Sequence, residues 1–179
     1  MGEPPRRGKE VSGSEKDGSI WQDAGYNYVW EVWCIYEGLM RILIDTCIFI
    51  HLATDRSLLS EDVLALLTDY DNTICVSAET PRELIIQYNN KKLVAKYWKS
   101  AREMIDAIEK EYFIHVLPLQ EEHMKTYSEL ELNTAQDHKD PSDHVIIAHA
   151  ITEHLPLISD DGKFEFYKKQ GLDLILNKK

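Results

Sequence analysis

Nowhere in the 179 residues does an apolar run approach the roughly 20 residues that a membrane-spanning helix requires, which argues against a helical membrane protein. No apolar stretch follows Arg6, Arg7 and Lys9, so the N-terminus does not read as a secretory signal. Cysteine is scarce. Cys34, Cys47 and Cys75 are odd in number and lack the spacing of metal-ligand or redox pairs, so reduced thiols in a cytoplasmic protein are expected. Basic residues are also in deficit, 20 Lys and Arg against 31 Asp and Glu, for a formal net charge of -11. Such a chain repels phosphate at long range, which argues against a nucleic-acid partner. A site where several carboxylates converge on divalent cations escapes that argument, because its local charge is neutralised and phosphate can approach. No internal repeat is visible.

What is present is an ordinary globular balance, 44% hydrophobic and 28% charged residues, in a length suited to one domain with a sizeable core. Residues 1–20 are polar, with Pro4-Pro5 and Gly-Ser pairs, and are expected to be disordered. Trp21, Tyr26, Tyr28, Trp30, Trp33 and Tyr36 crowd the next segment, and the alternation of Tyr26, Tyr28 and Trp30 suits an added edge strand. The competing reading is that a complete domain begins at Met40 and that residues 1–39 are appended.

From Met40 onward, strand and helix signals alternate. Strands are expected at Arg41–Ile44, Thr73–Ser77, Phe113–Leu117, Leu155–Ser159 and Leu172–Leu176. Helices are expected over Glu61–Tyr70, from a Thr80 cap with Pro81 as first helical residue, and over Lys96–Tyr112, Glu121–Leu132 and Pro141–His154, with a short one around Phe164–Lys168. Asn133–Lys139 reads as a polar loop. This order implies an α/β fold, a parallel sheet with helices on both faces.

In such sheets ligands sit beyond the carboxyl ends of the strands, at a topological switch point. Four acids fall there: Asp45 after the first strand, Glu83 after the second, Asp143 in the first turn of the helix opened by Pro141, and Asp161 after the fourth strand. Four unpaired carboxylates on one rim raise one another's pKa values, and a hard divalent cation relieves the repulsion. Oxygen-only ligation suits Mg2+ or Mn2+.

The segments carrying these acids resemble the motifs of one family. Ile42-Leu43-Ile44-Asp45-Thr46-Cys47 is similar to the opening strand and first acid of PIN domains. Val76 to Ile85, with Glu83, resembles the second motif; His138 to Ala150, with Asp143, the third motif of the VapC type; and Leu157 to Phe164, with Asp161, the fourth. The match runs from residue 40 to about 177 in the family's order. The chain departs from it at Ser142, where an aromatic is common, and at His144, where an Arg is common.

This resemblance implies a PIN-like three-layer α/β/α domain over residues 40–179 with a central, mostly parallel five-stranded sheet. It also implies a metal-dependent endoribonuclease, the toxin of a toxin–antitoxin pair, with Asp45, Glu83, Asp143 and Asp161 as both metal ligands and catalytic residues. Single-stranded or loop RNA would be cut to 5′-phosphate and 3′-hydroxyl ends by a homodimer, and a cognate antitoxin would plug the acidic cleft. The alternative is a non-catalytic PIN-like module that binds RNA or protein.

Each residue also has a plainer role to fill. Asp45 suits a strand-end turn. Thr80-Pro81-Arg82-Glu83 suits a capping box, with Glu83 reaching back to the cap; in that case Glu79 is the substitute acid. Asp143 suits the positive end of its helix. Asp161 suits an N-cap, which would leave Asp160 as the ligand, and Asp140 suits a cap before Pro141. Thr46 and Ser159 are candidates for supporting or phosphate contacts, against local turn bonding. The histidines at 138, 144, 149 and 154 invite a zinc site, but His144 and His149 lie about 140° apart around a helix and do not share a metal. Lys92, Lys96 and Lys99, with Lys91 and Arg102, form either a solvated face or a phosphate track. A haloacid-phosphatase reading needs a second Asp where Cys47 stands.

Overall fold

The computed structural model describes residues 40–90 and 98–179. The expectations for residues 1–39, and for Lys91, Lys92 and Lys96 of the basic face, lie outside the described residues. Five strands, β1 (Met40–Ile44), β2 (Asn72–Ser77), β3 (His115–Leu117), β4 (Leu157–Ser159) and β5 (Leu174–Leu176), form a sheet of order β3-β2-β1-β4-β5. Every pairing is parallel, with Ile42 opposite Ile74, Ile44 opposite Ile158 and Cys75 opposite His115 among the partners.

The period of two along these strands sends alternate side chains to two separate cores. Ile42, Ile44, Ile74, Val76 and Ile158 face one core, while Leu43, Cys75 and Leu157 face the other. On the first face pack α1 (Thr46–Thr54), α2 (Glu61–Thr68), α3 (Glu79–Asn89) and α4 (Ala101–Lys110), through Ile48, Phe49, Val63, Leu84, Met104 and Ile108. On the second pack α6 (Pro141–Glu153), through Ile146, Ile147 and Ala150, and the 3-10 segment Gly162–Gln170, through Phe164 and Tyr167. Helix α5 (Glu121–Glu129) packs along α6. This is the expected three-layer α/β/α arrangement. Among the described residues no helix is long and apolar enough to cross a membrane.

Two expected helix starts need correction, and one further helix was not expected. Helix α1 follows β1 immediately and was not foreseen, because Ile48-Phe49-Ile50 looks like strand sequence; Asp45 starts the helix by accepting the Thr46 amide at 2.7 Å. Helix α3 begins at Glu79 after Ala78, with no side-chain cap, so Thr80 and Pro81 lie inside its first turn. Pro81 is tolerated there because first-turn amides have no partner in the helix. Glu83 is then the fifth helical residue, beyond the reach of a cap, and the capping-box reading falls. Helix α4 starts at Ala101, capped by Ser100 on the Glu103 amide at 3.1 Å, rather than at Lys96. The remaining elements differ from expectation by a few residues at their ends.

Candidate metal centre

The chain leaves β1 for β2 on one side, then crosses from β3 to β4 on the other, so the switch point lies between β1 and β4. Asp45 stands at the end of β1 and Ser159 at the end of β4, and the backbone joins them where the Asp45 amide donates to the Ile158 carbonyl at 2.9 Å. Asp45 is 6% exposed. Its Oδ1 accepts the Thr46 amide, and its Oδ2 accepts the Ser159 hydroxyl at 2.7 Å and the Cys47 thiol at 3.0 Å. Burial raises its pKa despite those donors. Burial and the Asp45 charge also push the Cys47 thiol far up, so it stays protonated and acts as a donor.

Asp143 is the third residue of α6, which Asp140 caps through the Ser142 amide at 2.9 Å. Asp140 therefore fills its expected capping role. Burial, then the charges of Asp45, Asp140, Glu83 and Asp161, push Asp143 up to about 8. Asp45 and Glu83 are near enough for their charge to act on Asp143, while the set whose ligand atoms lie within 4.8 Å of one another is His138, Asp143 and Asp161. Burial, with Asp45 and Asp140, likewise raises Glu83, against the lowering contacts of Thr46 and Gln87. Glu83 Oε1 accepts from Gln87 at 3.0 Å, but Oε2 is buried without a hydrogen-bond partner. The substitute acid Glu79 is instead clamped by Arg82, with contacts of 2.8 to 3.0 Å, and so is neutralised within its own helix.

Asp161 caps the segment Gly162–Gln170 by accepting the Lys163 amide at 2.8 Å, and its own amide donates to Ser159 Oγ at 3.1 Å. The cap does not remove it from the rim: His138, Asp143 and Asp161 each offer a ligand atom within 4.8 Å of the others. Asp160 turns to His51, with Oδ2 2.8 Å from Nε2. Burial works to raise Asp160, but contacts with Cys47 and His51 outweigh it and hold the carboxyl low. Ser159 is thus a supporting residue that touches both Asp45 and Asp161. Thr46 is buried and donates to Thr80 Oγ1 at 3.2 Å, tying α1 to α3.

The sequence did not connect Asn133 and His138 to Asp143. Asn133 and His138 belong to the stretch read as a polar loop, yet they are 2% and 3% exposed, and His138 Nε2 lies 2.9 Å from Asp143 Oδ2. The available signal was a histidine five residues before an acid, which on its own is too common to single out. Among the described residues the ion pairs of lysine and arginine go to other acids, and none reaches Asp45, Glu83, Asp143 or Asp161. Clustered carboxylates, a buried carboxylate oxygen without a hydrogen-bond partner and, among the described residues, no lysine or arginine ion pair to them are the chemistry of a hard-cation site, and the residues present fit one.

Comparison with solved structures finds the same fold in chains of VapBC assemblies. One chain of VapBC2 from Rickettsia felis, bound to a DNA fragment from its promoter, is 23% identical, with a TM-score of 0.58 over 78% of this chain and 100% of that one. A chain of VapBC-1 from nontypeable Haemophilus influenzae is 25% identical, with a TM-score of 0.57 over 78% and 100%. A chain of DNA-bound VapBC from Salmonella typhimurium is 20% identical, with a TM-score of 0.53 over 78% and 99%. No curated protein sequence matches the chain. The family model for the PIN domain matches residues 42–170, most of the chain, and on that ground the protein belongs to the PIN domain family.

Proposed function

We propose that this PIN-domain chain is a divalent-metal-dependent endoribonuclease of the VapC type, the toxin of a toxin–antitoxin pair acting in the cytoplasm. The observation that carries the reading is the convergence of Asp45, Glu83, Asp143 and Asp161 at the switch point of the sheet without a lysine or arginine partner among the described residues. Membership of the PIN family and a fold shared with VapBC chains support it.

The four acids would hold Mg2+ or Mn2+. When bound, the cation would offset their charge for an approaching phosphate and lower the pKa of a water for in-line attack on phosphorus. The chain's own side chains do the positioning. Ser159 and Cys47 donate to Asp45 and fix its Oδ2, the Lys163 amide fixes Asp161, and Gln87 holds one oxygen of Glu83 beside Thr46. Asp45 and Asp161 hang on one hydroxyl, that of Ser159, which couples their spacing.

A protein antitoxin that covers the acidic rim and a homodimer complete the proposal, with residues 40–179 as the nuclease unit. A chain shortened to begin at Met40 should melt cooperatively and cleave as the full chain does. The direct test is incubation of the purified chain with total RNA in Mg2+ or Mn2+, with and without EDTA. Cleavage abolished by the chelator and restored by metal is the expected result. Chelator-resistant cleavage would remove the metal, and absence of cleavage under all conditions would favour a non-catalytic binding module.

A further inference from the structure

Behind the acidic rim, a chain of hydrogen bonds links three buried residues to Asp143. The Asn133 amide lies 3.3 Å from Tyr167 Oη, Tyr167 Oη lies 3.0 Å from His138 Nδ1, and His138 Nε2 lies 2.9 Å from Asp143 Oδ2. The direction of each bond follows from what each atom can do. A backbone amide only donates, so the phenol oxygen accepts there. Its single proton is then free to donate to Nδ1, which leaves the proton of a neutral imidazole on Nε2, facing the carboxylate. The other tautomer would turn a bare nitrogen lone pair toward the lone pairs of an ionised carboxylate. Only the first arrangement pairs every group when Asp143 ligates a cation.

We propose that Asn133, Tyr167 and His138 form a one-directional relay that fixes the tautomer of His138 and, through it, the Asp143 carboxylate. This makes His138 and Tyr167 positioning residues for the metal centre. The inference rests on the metal-dependent reading above. Packing supports it: Tyr167 is fully buried, and the His138 ring lies among His144, Phe164 and Tyr167 at centroid distances of 4.8, 5.5 and 5.7 Å. The start of the relay is anchored as well. Asn133 Nδ2 donates to Gln136 Oε1 at 2.8 Å and to the Lys163 carbonyl at 3.3 Å, tying the loop to the 3-10 segment that carries Tyr167. The relay therefore joins a loop, the segment after β4 and the first turn of α6 at one carboxylate oxygen. Partners of this kind orient a ligand and set its basicity, and their loss typically weakens metal binding roughly 10- to 100-fold.

The test is Mn2+ affinity of the full-length protein, measured by calorimetry, beside thermal melts of the same samples. Tyr167→Phe and His138→Phe should each weaken Mn2+ about 10-fold, and the double variant should be no weaker than His138→Phe alone, because groups in series are lost once. His138→Gln keeps an N–H donor and should recover part of the loss; it also serves as the test variant should His138→Phe lack a cooperative melt. Wild-type affinity in both Phe variants, or losses that add in the double variant, overturns the relay while leaving the metal reading in place. A wild-type chain that binds no Mn2+ removes both.

Discussion

Among the described residues two clusters of titratable side chains converge, and only one has the make-up of a working site. The first is the acidic rim. The second lies between α5 and α6, where His123, His149 and Glu153 bring ligand atoms within 4.8 Å of one another and the imidazole centroids are 4.0 Å apart with the rings tilted by 32°. The second cluster looks at first like zinc ligation, but its hydrogen bonds argue otherwise. His123 Nδ1 accepts the Gln120 amide at 2.9 Å, so the proton of its neutral ring sits on Nε2 and is directed at Glu153 Oε1, 3.1 Å away. His149 Nδ1 meets Ser77 Oγ at 3.0 Å, its Nε2 is buried without a hydrogen-bond partner, and burial pushes its pKa down to about 3, so the ring stays neutral. A ring whose nitrogens are already committed to a helix cap and a carboxylate fastens two helices together. The rim differs in charge: like charges face one another, and the available donors hold the acids in place without cancelling that charge.

The comparison breaks first if the rim tolerates neutral substitutes. Asp45→Asn and Asp143→Asn should each lower RNA cleavage by at least ~10²-fold, with a cooperative melt retained, since weakened metal binding removes the nucleophile. Glu83→Gln belongs with them. Because α3 starts at Glu79, this substitution disturbs no cap, so the protein should melt near wild type while cleavage falls, partly recovered at high Mn2+. Wild-type rates in Glu83→Gln would return the second-motif role to Glu79, against its clamp by Arg82.

Substitution in the histidine cluster should do the opposite. His149→Ala leaves a cavity and strips Ser77 of a partner, so it should cost about 2–4 kcal/mol of stability with cleavage per folded molecule unchanged. A variant that melts normally but fails to cleave would place His149 in the site and make the two clusters alike in function.

A smaller effect, of opposite sign in the two regions, should appear with pH in metal-free protein. The folded Asp143 carboxyl, raised to about 8 from 3.8, binds a proton that the unfolded chain has already lost. Stability from this group is complete below the unfolded value and is lost as pH rises through about 8, by at most ~1.4 kcal/mol per pH unit for one proton. His149, lowered to about 3 from 6.5, costs stability as pH falls below 6.5, because the unfolded ring charges first. Melts in EDTA should therefore improve as pH drops from about 8 toward 6.5 in wild type, and Asp143→Asn should flatten that slope. A flat wild-type profile over the same span would contradict the raised carboxyl.

How much of this was legible in the sequence follows from which forces were local. Strands such as Ile42-Leu43-Ile44, buried on both faces, announce themselves by composition, and Asp140-Pro141 marks the start of α6 by backbone chemistry alone. Those two signals suffice to set Asp45 and Asp143 on the same rim. Helix α1 was hidden because its Ile-Phe-Ile run packs as helix only against the finished sheet, a tertiary effect that overrides propensity. The start of α3 was misplaced because Thr80-Pro81 is a strong local signal, outweighed by burial of Glu79 and Thr80 against the core. The relay behind Asp143 joins residues 133, 138 and 167, which no spacing rule connects.

The central claim is that the rim carboxylates repel one another until a divalent cation joins them, and a pair of thermal melts tests it most directly. At about pH 9, where Asp143 is ionised, Asp143→Asn should melt above wild type in EDTA, because one repelling charge is gone. In saturating Mn2+ the order should reverse, since ligand binding stabilises wild type by about 2.7 kcal/mol at 100 times the dissociation constant and the variant by less. The same order of melting in both conditions would contradict the account.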